Sequence, residues 1–170
     1  MRRRRCLIPT DGFFEWQAGA KAGAPKRPYF VRAKRNADGI APPLAFAGLW
    51  ETWTGPNGEE LDTAAIITTT ANRMLSGLHD RMPVFVPPDA FELWLDCANV
   101  EADVAAALIR PAGEDLLEAY EVSTAVNRAA NDSEALIQPV AAAAIHAQSV
   151  ADAPVKKERP KKPDGQASLL

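Results

Sequence analysis

The chain has only two cysteines and two histidines in 170 residues, and it has no long apolar run. Cys6 and Cys97 stand far apart, with no CxxC pair and no mixed His/Cys cluster, so neither a zinc site nor a disulfide framework is expected. Reduced thiols are the ordinary state of such cysteines in a cytosolic protein. No metal and no cofactor are expected. No stretch approaches the roughly eighteen uninterrupted apolar residues that a membrane span needs. Met1 with Arg2 to Arg5 has the basic character of a secretion signal's first residues. The apolar stretch that should follow is absent, because Cys6-Leu7-Ile8 runs straight into Pro9-Thr10-Asp11-Gly12. A cytoplasmic protein without membrane contact is the expectation.

A global excess of one charge is missing too. Arg2 to Arg5 contribute +4 and the segment Lys156 to Lys162 a further +4, which leaves -11 for the remainder against a total of -3. Any grip on a polyanion must therefore come from local patches and not from a general positive field. What is present is an ordinary globular composition, 47% apolar and 24% charged, enough for one domain with a core. One domain over residues 1–148 is expected. Residues 149–170 turn to Lys, Pro, Glu and Gly, with Pro154, Pro160 and Pro163 breaking any helix, and read as a basic disordered tail.

The first half reads as strands. Cys6 to Ile8 and Phe13 to Trp16 flank the turn pair Asp11-Gly12. Tyr29 to Ala33, Leu44 to Trp53 and Thr63 to Thr70 follow, with Asn57-Gly58 as a hairpin signal between the last two. Met82 to Val86 is another strand, closed by Pro87-Pro88. Asp89 and Glu92 have capping-box spacing before Phe91, Trp94, Leu95 and Ala98, which recur at helical intervals. A second helix is expected over Val100 to Ile109, capped by Asn99. Leu117 to Val122 and Leu136 to Val140 read as closing strands. Strands, then helices, then strands, without βαβ alternation, predict an α+β domain built on a mainly antiparallel, barrel-like sheet.

Several strings stand out together: Arg4-Arg5-Cys6-Leu7-Ile8-Pro9-Thr10-Asp11-Gly12-Phe13-Phe14-Glu15-Trp16, then Gly48-Leu49-Trp50-Glu51-Thr52-Trp53, then Ile67-Thr68-Thr69-Thr70-Ala71-Asn72, then His79-Asp80-Arg81-Met82-Pro83-Val84. With Val122 to Asn127 downstream, their order resembles the SOS-response-associated peptidase (SRAP) family of abasic-site processing proteins, over about residues 3–140. The resemblance implies binding of single-stranded DNA at abasic sites by a monomer associated with the nucleoid. It also implies a covalent step. The family exposes an N-terminal cysteine after removal of the initiator methionine, apparently by self-cleavage. That residue's α-amine forms a Schiff base with the opened deoxyribose, and its thiol closes a thiazolidine.

By motif, Glu15 and His79 match the family's assisting glutamate and histidine. Opening the sugar and forming the imine both require proton transfer, and histidine's ordinary pKa of about 6.5 suits it to that work near neutrality. A carboxylate inside an apolar run, as at Glu15, is costly unless it has a use. A hydroxyl among Thr68, Thr69 and Thr70 is expected to hold Glu15. Trp16 should lie on the opposite strand face from Glu15 and stack on a base, while Arg81, Arg4 and Arg5 are candidate phosphate contacts. Trp50 and Trp53 read as core and rim aromatics, His146 has no functional context, and Asn127 suggests only a turn.

Family members begin Met-Cys-Gly-Arg and run several dozen residues before the first string, whereas here Met1 stands almost directly before it. The expectation is a chain without the segment that carries the nucleophile, through a gene start placed too late or a true truncation. Cys6 matches an internal cysteine of the family string and Cys97 follows an apolar helix face, so neither replaces it. Two rival readings are a non-covalent single-strand binding module, or an inactive homologue, and a peptidase acting on other proteins.

Overall fold

In the computed structural model, which describes residues 1, 4–19, 21 and 23–140, the strand β4 (Leu44–Thr54) sits between β1 (Arg5–Thr10) and β5 (Glu60–Ile66). Its register runs from Arg5↔Leu49 to Thr10↔Leu44 on one side and from Gly48↔Ile66 to Thr54↔Glu60 on the other. A second sheet orders β2 (Phe13–Gln17), β3 (Arg27–Ala33) and β8 (Leu117–Glu121), and a third pairs β6 (Thr68–Thr70) with β7 (Arg81–Pro83). Every pairing is antiparallel and the sheets are open. Two short helices, α1 (Phe91–Leu95) and α2 (Ala102–Ala106), complete an α+β fold, as the element order predicts.

The third sheet is fastened to the first by a ring of backbone hydrogen bonds. Ala47 donates its N–H to Val84 (2.8 Å), Val84 to Ile67 (2.9 Å) and Ile67 back to Ala47 (2.9 Å). Both turn signals hold. Gly58, at φ +85°, closes the β4–β5 hairpin in a conformation that side-chain-bearing residues avoid. Gly12 is required for closeness instead, since a Cβ there would stand 2.6 Å from the Val31 carbonyl oxygen.

The core has two clusters. One gathers Val31, Leu44, Leu75, Met82 and Leu117, with Phe13 and Leu78 against it. The other gathers Ala47, Val84, Val86, Trp94 and Ala105. Phe13, Phe46 and Phe85 bridge them, with ring centroids 5.3 to 6.3 Å apart, in the range where aromatic pairs attract. Trp94 is fully buried, and its indole N–H donates to the Cys6 carbonyl at 2.8 Å, so the largest core side chain leaves no polar atom unmet.

Arg5 does not face a phosphate. It is 3% exposed, and its guanidinium donates to the carbonyls of Trp94 (2.5 Å), Asp96 (2.8 Å) and Val100 (3.1 Å). Those carbonyls end α1 and the turn after it, so the buried cation supplies the partners that a helix end otherwise lacks. Asn99 bonds Asp96 rather than capping α2, whose preceding residue is Glu101. Those hydrogen bonds from Asn99 hold the Asp96 carboxyl below its ordinary range. The capping box is also absent: Asp89 lies in a 3-10 turn, Pro88–Ala90, and Ala90 precedes α1 without a side-chain cap.

Other boundaries move. The predicted Thr63–Thr70 strand breaks at Ile67, where the chain crosses from one sheet to the next. Leu136 to Val140 is not a strand but a 3-10 turn, Glu134–Ile137, plus one bridge between Pro139 and Val122. Trp50 and Trp53 are 40% and 51% exposed, so neither is a core residue. The predicted tail and His146 lie outside the described residues. Among the described residues, no helix is long and apolar enough to cross a membrane.

Replacing Arg5 by Met should lower unfolding stability by about 2–3 kcal/mol, because the buried Trp94 carbonyl and the half-buried carbonyls of Asp96 and Val100 lose a charged donor. Arg4→Met, which removes an exposed ion pair with Glu51 and a guanidinium resting on the exposed Trp50 ring, should cost only about 1 kcal/mol. Urea denaturation of the two variants compares them directly, and equal losses would contradict the role given to Arg5.

Candidate functional site

Strand β2 carries the sequence Phe13-Phe14-Glu15-Trp16-Gln17, and its alternation sorts these side chains onto two faces. Phe13 packs into the core cluster that also holds Leu75, Leu78 and Met82. Glu15 and Gln17 follow Phe13 on the same face. Gln17 confirms the direction, because its amide N–H donates to the Gly77 carbonyl at 2.8 Å. Gly77 closes the 3-10 turn Leu75–Gly77, and His79 follows two residues later. The face bearing Glu15 is thus held against the turn that presents His79.

That turn is braced from behind. Asn72 is 6% exposed; its side-chain oxygen accepts from the Leu75 N–H (3.0 Å) and its amide donates to the Ala112 carbonyl (3.2 Å). The Glu114 carboxylate accepts from the N–H groups of Arg73 (3.0 Å) and Met74 (3.2 Å). The His79 N–H donates to the Leu75 carbonyl at 3.0 Å, which sets where the ring begins.

The ring itself is half open to solvent, with 45% side-chain exposure. Its Nδ1 accepts from the Arg81 N–H at 3.0 Å, so the neutral ring carries its proton on Nε2. The Asp80 carboxylate lies 3.2 Å from the same Nδ1 and would receive an N–H there when the ring is cationic. Both protonation states therefore have a partner at Nδ1, while Nε2 makes no hydrogen bond among the described residues. When cationic, such a ring can give its Nε2 proton away while Nδ1–H stays against Asp80 and holds the orientation.

Glu15 is half-buried, and its carboxylate accepts from the N–H of Trp16 at 3.0 Å. The expected support from the threonine run is not there. Thr68 uses its hydroxyl and carbonyl to accept from the Arg81 guanidinium (2.8 Å each), and no hydroxyl of Thr68, Thr69 or Thr70 donates to Glu15 among the described residues. The reason is topological: β6 pairs with β7, so its threonines serve Arg81 across the ladder. Arg81 is exposed and held by one edge of its fork, leaving Nη1 without a hydrogen bond among the described residues.

Trp16 lies on the other face of β2 beside Phe14, their centroids 6.4 Å apart. Its indole N–H donates to the side-chain oxygen of Asn127 at 2.8 Å, a partner 111 residues away that closes the 3-10 turn Thr124–Asn127. Arg4 stands apart. It pairs with Glu51 and covers the Trp50 ring at 5.1 Å, and no hydrogen bond or ion pair among the described residues joins it to Glu15 or His79.

Neither cysteine belongs to this edge. Cys6 lies over Gly48 on β1, and burial raises its thiol above the ordinary range. Cys97 is half-buried just after α1. The described residues contain no group of three or more His, Cys, Asp or Glu placed to hold a metal. Gln17, Asn72 and Asn127 are the positioning residues that sequence reasoning did not assign. Only their neighbourhood to the motifs hinted at them, because each acts through a contact distant in sequence.

Residues 1–129 match the family model described as SOS response associated peptidase (SRAP). The chain is 39% identical over 135 residues to the abasic site processing protein YoqW of Bacillus subtilis, covering 79% of this chain and 57% of that one. It is 36% identical over 155 residues to the abasic site processing protein HMCES of Gallus gallus, covering 82% of this chain and 45% of that one. A crystal structure of a protein from Bacteroides thetaiotaomicron superposes with a TM-score of 0.69 at 28% identity, over 81% of this chain and 57% of that chain. The chain spans about half the length of the curated relatives it matches. On the match over residues 1–129 and the identities with these relatives, the chain belongs to the SRAP family.

Proposed function

We propose that this chain recognises abasic sites in single-stranded DNA and that Glu15 and His79 move protons at the opened deoxyribose. The observation that carries the reading is the Gln17–Gly77 hydrogen bond, which holds the Glu15 face of β2 against the turn bearing His79. The names of the curated relatives supply the substrate class.

An abasic deoxyribose is a cyclic hemiacetal. Opening it transfers the anomeric hydroxyl proton to a base and delivers a proton to the ring oxygen, leaving an aldehyde and a free hydroxyl. The Glu15 carboxylate is the acceptor in this pair, and the donor is the cationic His79 ring, which gives up its Nε2 proton and keeps the one on Nδ1 beside Asp80. When an amine then adds to the aldehyde, one of its protons moves to the former carbonyl oxygen, Glu15 returns the proton it took so that this hydroxyl departs as water, and the remaining N–H proton reloads His79, leaving an imine. Asp80, 3.2 Å from Nδ1, keeps the ring oriented through these steps.

The amine and thiol that the family resemblance implies are those of a single N-terminal cysteine, because thiazolidine closure needs both groups on one residue. Cys6 and Cys97 have peptide-bonded nitrogens, and neither can close that ring. DNA is gripped locally: Trp16, oriented by Asn127, stacks on a base for about 1–3 kcal/mol, and Nη1 of Arg81 meets a phosphate.

An abasic single-stranded oligonucleotide should bind more tightly than an intact one in fluorescence anisotropy. Trp16→Ala should weaken binding by roughly 5- to 100-fold, and Arg81→Ala should reduce the slope of log affinity against log salt by about one. Equal affinity for both oligonucleotides would instead favour a binding module without abasic-site chemistry.

On a denaturing gel, the chain beginning at Met1 should give no heat-stable adduct with the abasic strand. A strong adduct lost in Cys6→Ser would overturn the assignment of the nucleophile.

Burial keeps the Cys6 thiol protonated at neutral pH. Iodoacetamide should therefore label it more slowly than a free cysteine at pH 8, with the rate climbing only above the ordinary thiol value of 9.0. The folded state holds this proton more tightly than the unfolded state. Its contribution to stability is thus present below pH 9.0 and lost as pH rises beyond it. Labelling of Cys6 at the rate of a small thiol would refute its burial.

A further inference from the structure

On another part of the molecule, a cavity of about 310 Å³ opens between the segment before β4, the segment after β7 and the loop after α2. The volume is at the lower end of the range that holds small-molecule ligands. No residue lining it belongs to the Glu15–His79 edge.

Its walls are unusual in what they cannot do. Pro42-Pro43 and Pro87-Pro88 face the space from two separate segments. Proline has a fixed φ and no N–H, so these walls resist collapse and offer no backbone donor at four positions. Phe85 and Phe91 supply aromatic surface. Phe85 is backed by Phe46 and Phe13, at 5.3 and 6.3 Å, and is therefore held in place by the core behind it.

Among the side chains lining the cavity, Arg110 alone is polar. It is exposed, and its guanidinium makes no hydrogen bond or ion pair among the described residues. A rigid apolar chamber with one uncommitted guanidinium selects a compact apolar body carrying a single anionic group. A nucleobase fits poorly, because its donor and acceptor edges would meet walls that cannot answer them.

We propose that this cavity is a second ligand site, for a small apolar carboxylate or sulfonate of about two fused rings, with its anion on Arg110. The site is independent of the abasic-site reading.

The test titrates the full chain with 2-naphthoate and, separately, with the neutral 2-naphthalenemethanol, following backbone amides by NMR. Naphthoate should shift the amides of Phe85, Phe91, Gly113 and Leu116, and should bind about tenfold or more tightly than the alcohol, the margin of a charge-assisted hydrogen bond. Arg110→Gln should bring naphthoate down to the affinity of the alcohol and leave the alcohol unchanged. Gly113→Leu fills space at the lining; a Cβ there meets no atom within 4 Å, so the variant should fold and lose both ligands. Equal binding of acid and alcohol to the unaltered chain would overturn the anion assignment. Shifts elsewhere on the protein, no binding, or full binding by Gly113→Leu would overturn the site.

Discussion

Three backbone hydrogen bonds joining Ala47, Val84 and Ile67 in a closed ring are the constraint on which the arrangement rests. They let one strand of the first sheet hold both entry points of the third sheet at once. Ala47 and Val84 are fully buried, so no water competes for these groups and each bond must be satisfied within the protein. From this junction β7 runs back toward Arg81 and His79. The strand that leads to the turn bearing His79 is thus anchored to the body of the domain by main chain.

The candidate site is a meeting of elements that have little stability of their own. β6 and β7 are three residues each, and the turn before His79 is a single 3-10 turn. Such short pieces persist because polar side chains hold them: the buried Asn72 from beneath, and Glu114 and Gln17 nearer the surface. The arrangement leaves the reactive atoms outermost. Nε2 of His79 and Nη1 of Arg81 face outward, while the atoms that orient them are occupied by backbone.

Charge is used sparingly and locally. Of the arginines near the first strand, Arg5 is buried to close the end of α1 and Arg4 is neutralised by Glu51. With a net charge of -3, a polyanion is not drawn in from afar. Arg81 and Trp16 offer their polar atoms only at short range, each already held by a partner within the fold.

The sequence by itself determined the antiparallel α+β class, most of the strands in the first half and the Asn57-Gly58 hairpin. These follow from local signals: alternation, turn chemistry and long motifs rich in uncommon residues. It also put Trp16 and Glu15 on opposite faces, since strand alternation allows nothing else. Only the tertiary structure decided that Arg5 is a buried brace and that Thr68 serves Arg81 rather than Glu15. It alone decided that Asn127 orients Trp16 and that Leu136 to Val140 turns rather than extends. In each case the deciding partner lies across a sheet or many residues away, and a guanidinium or hydroxyl reads the same in sequence whether it meets a carbonyl, a carboxylate or water.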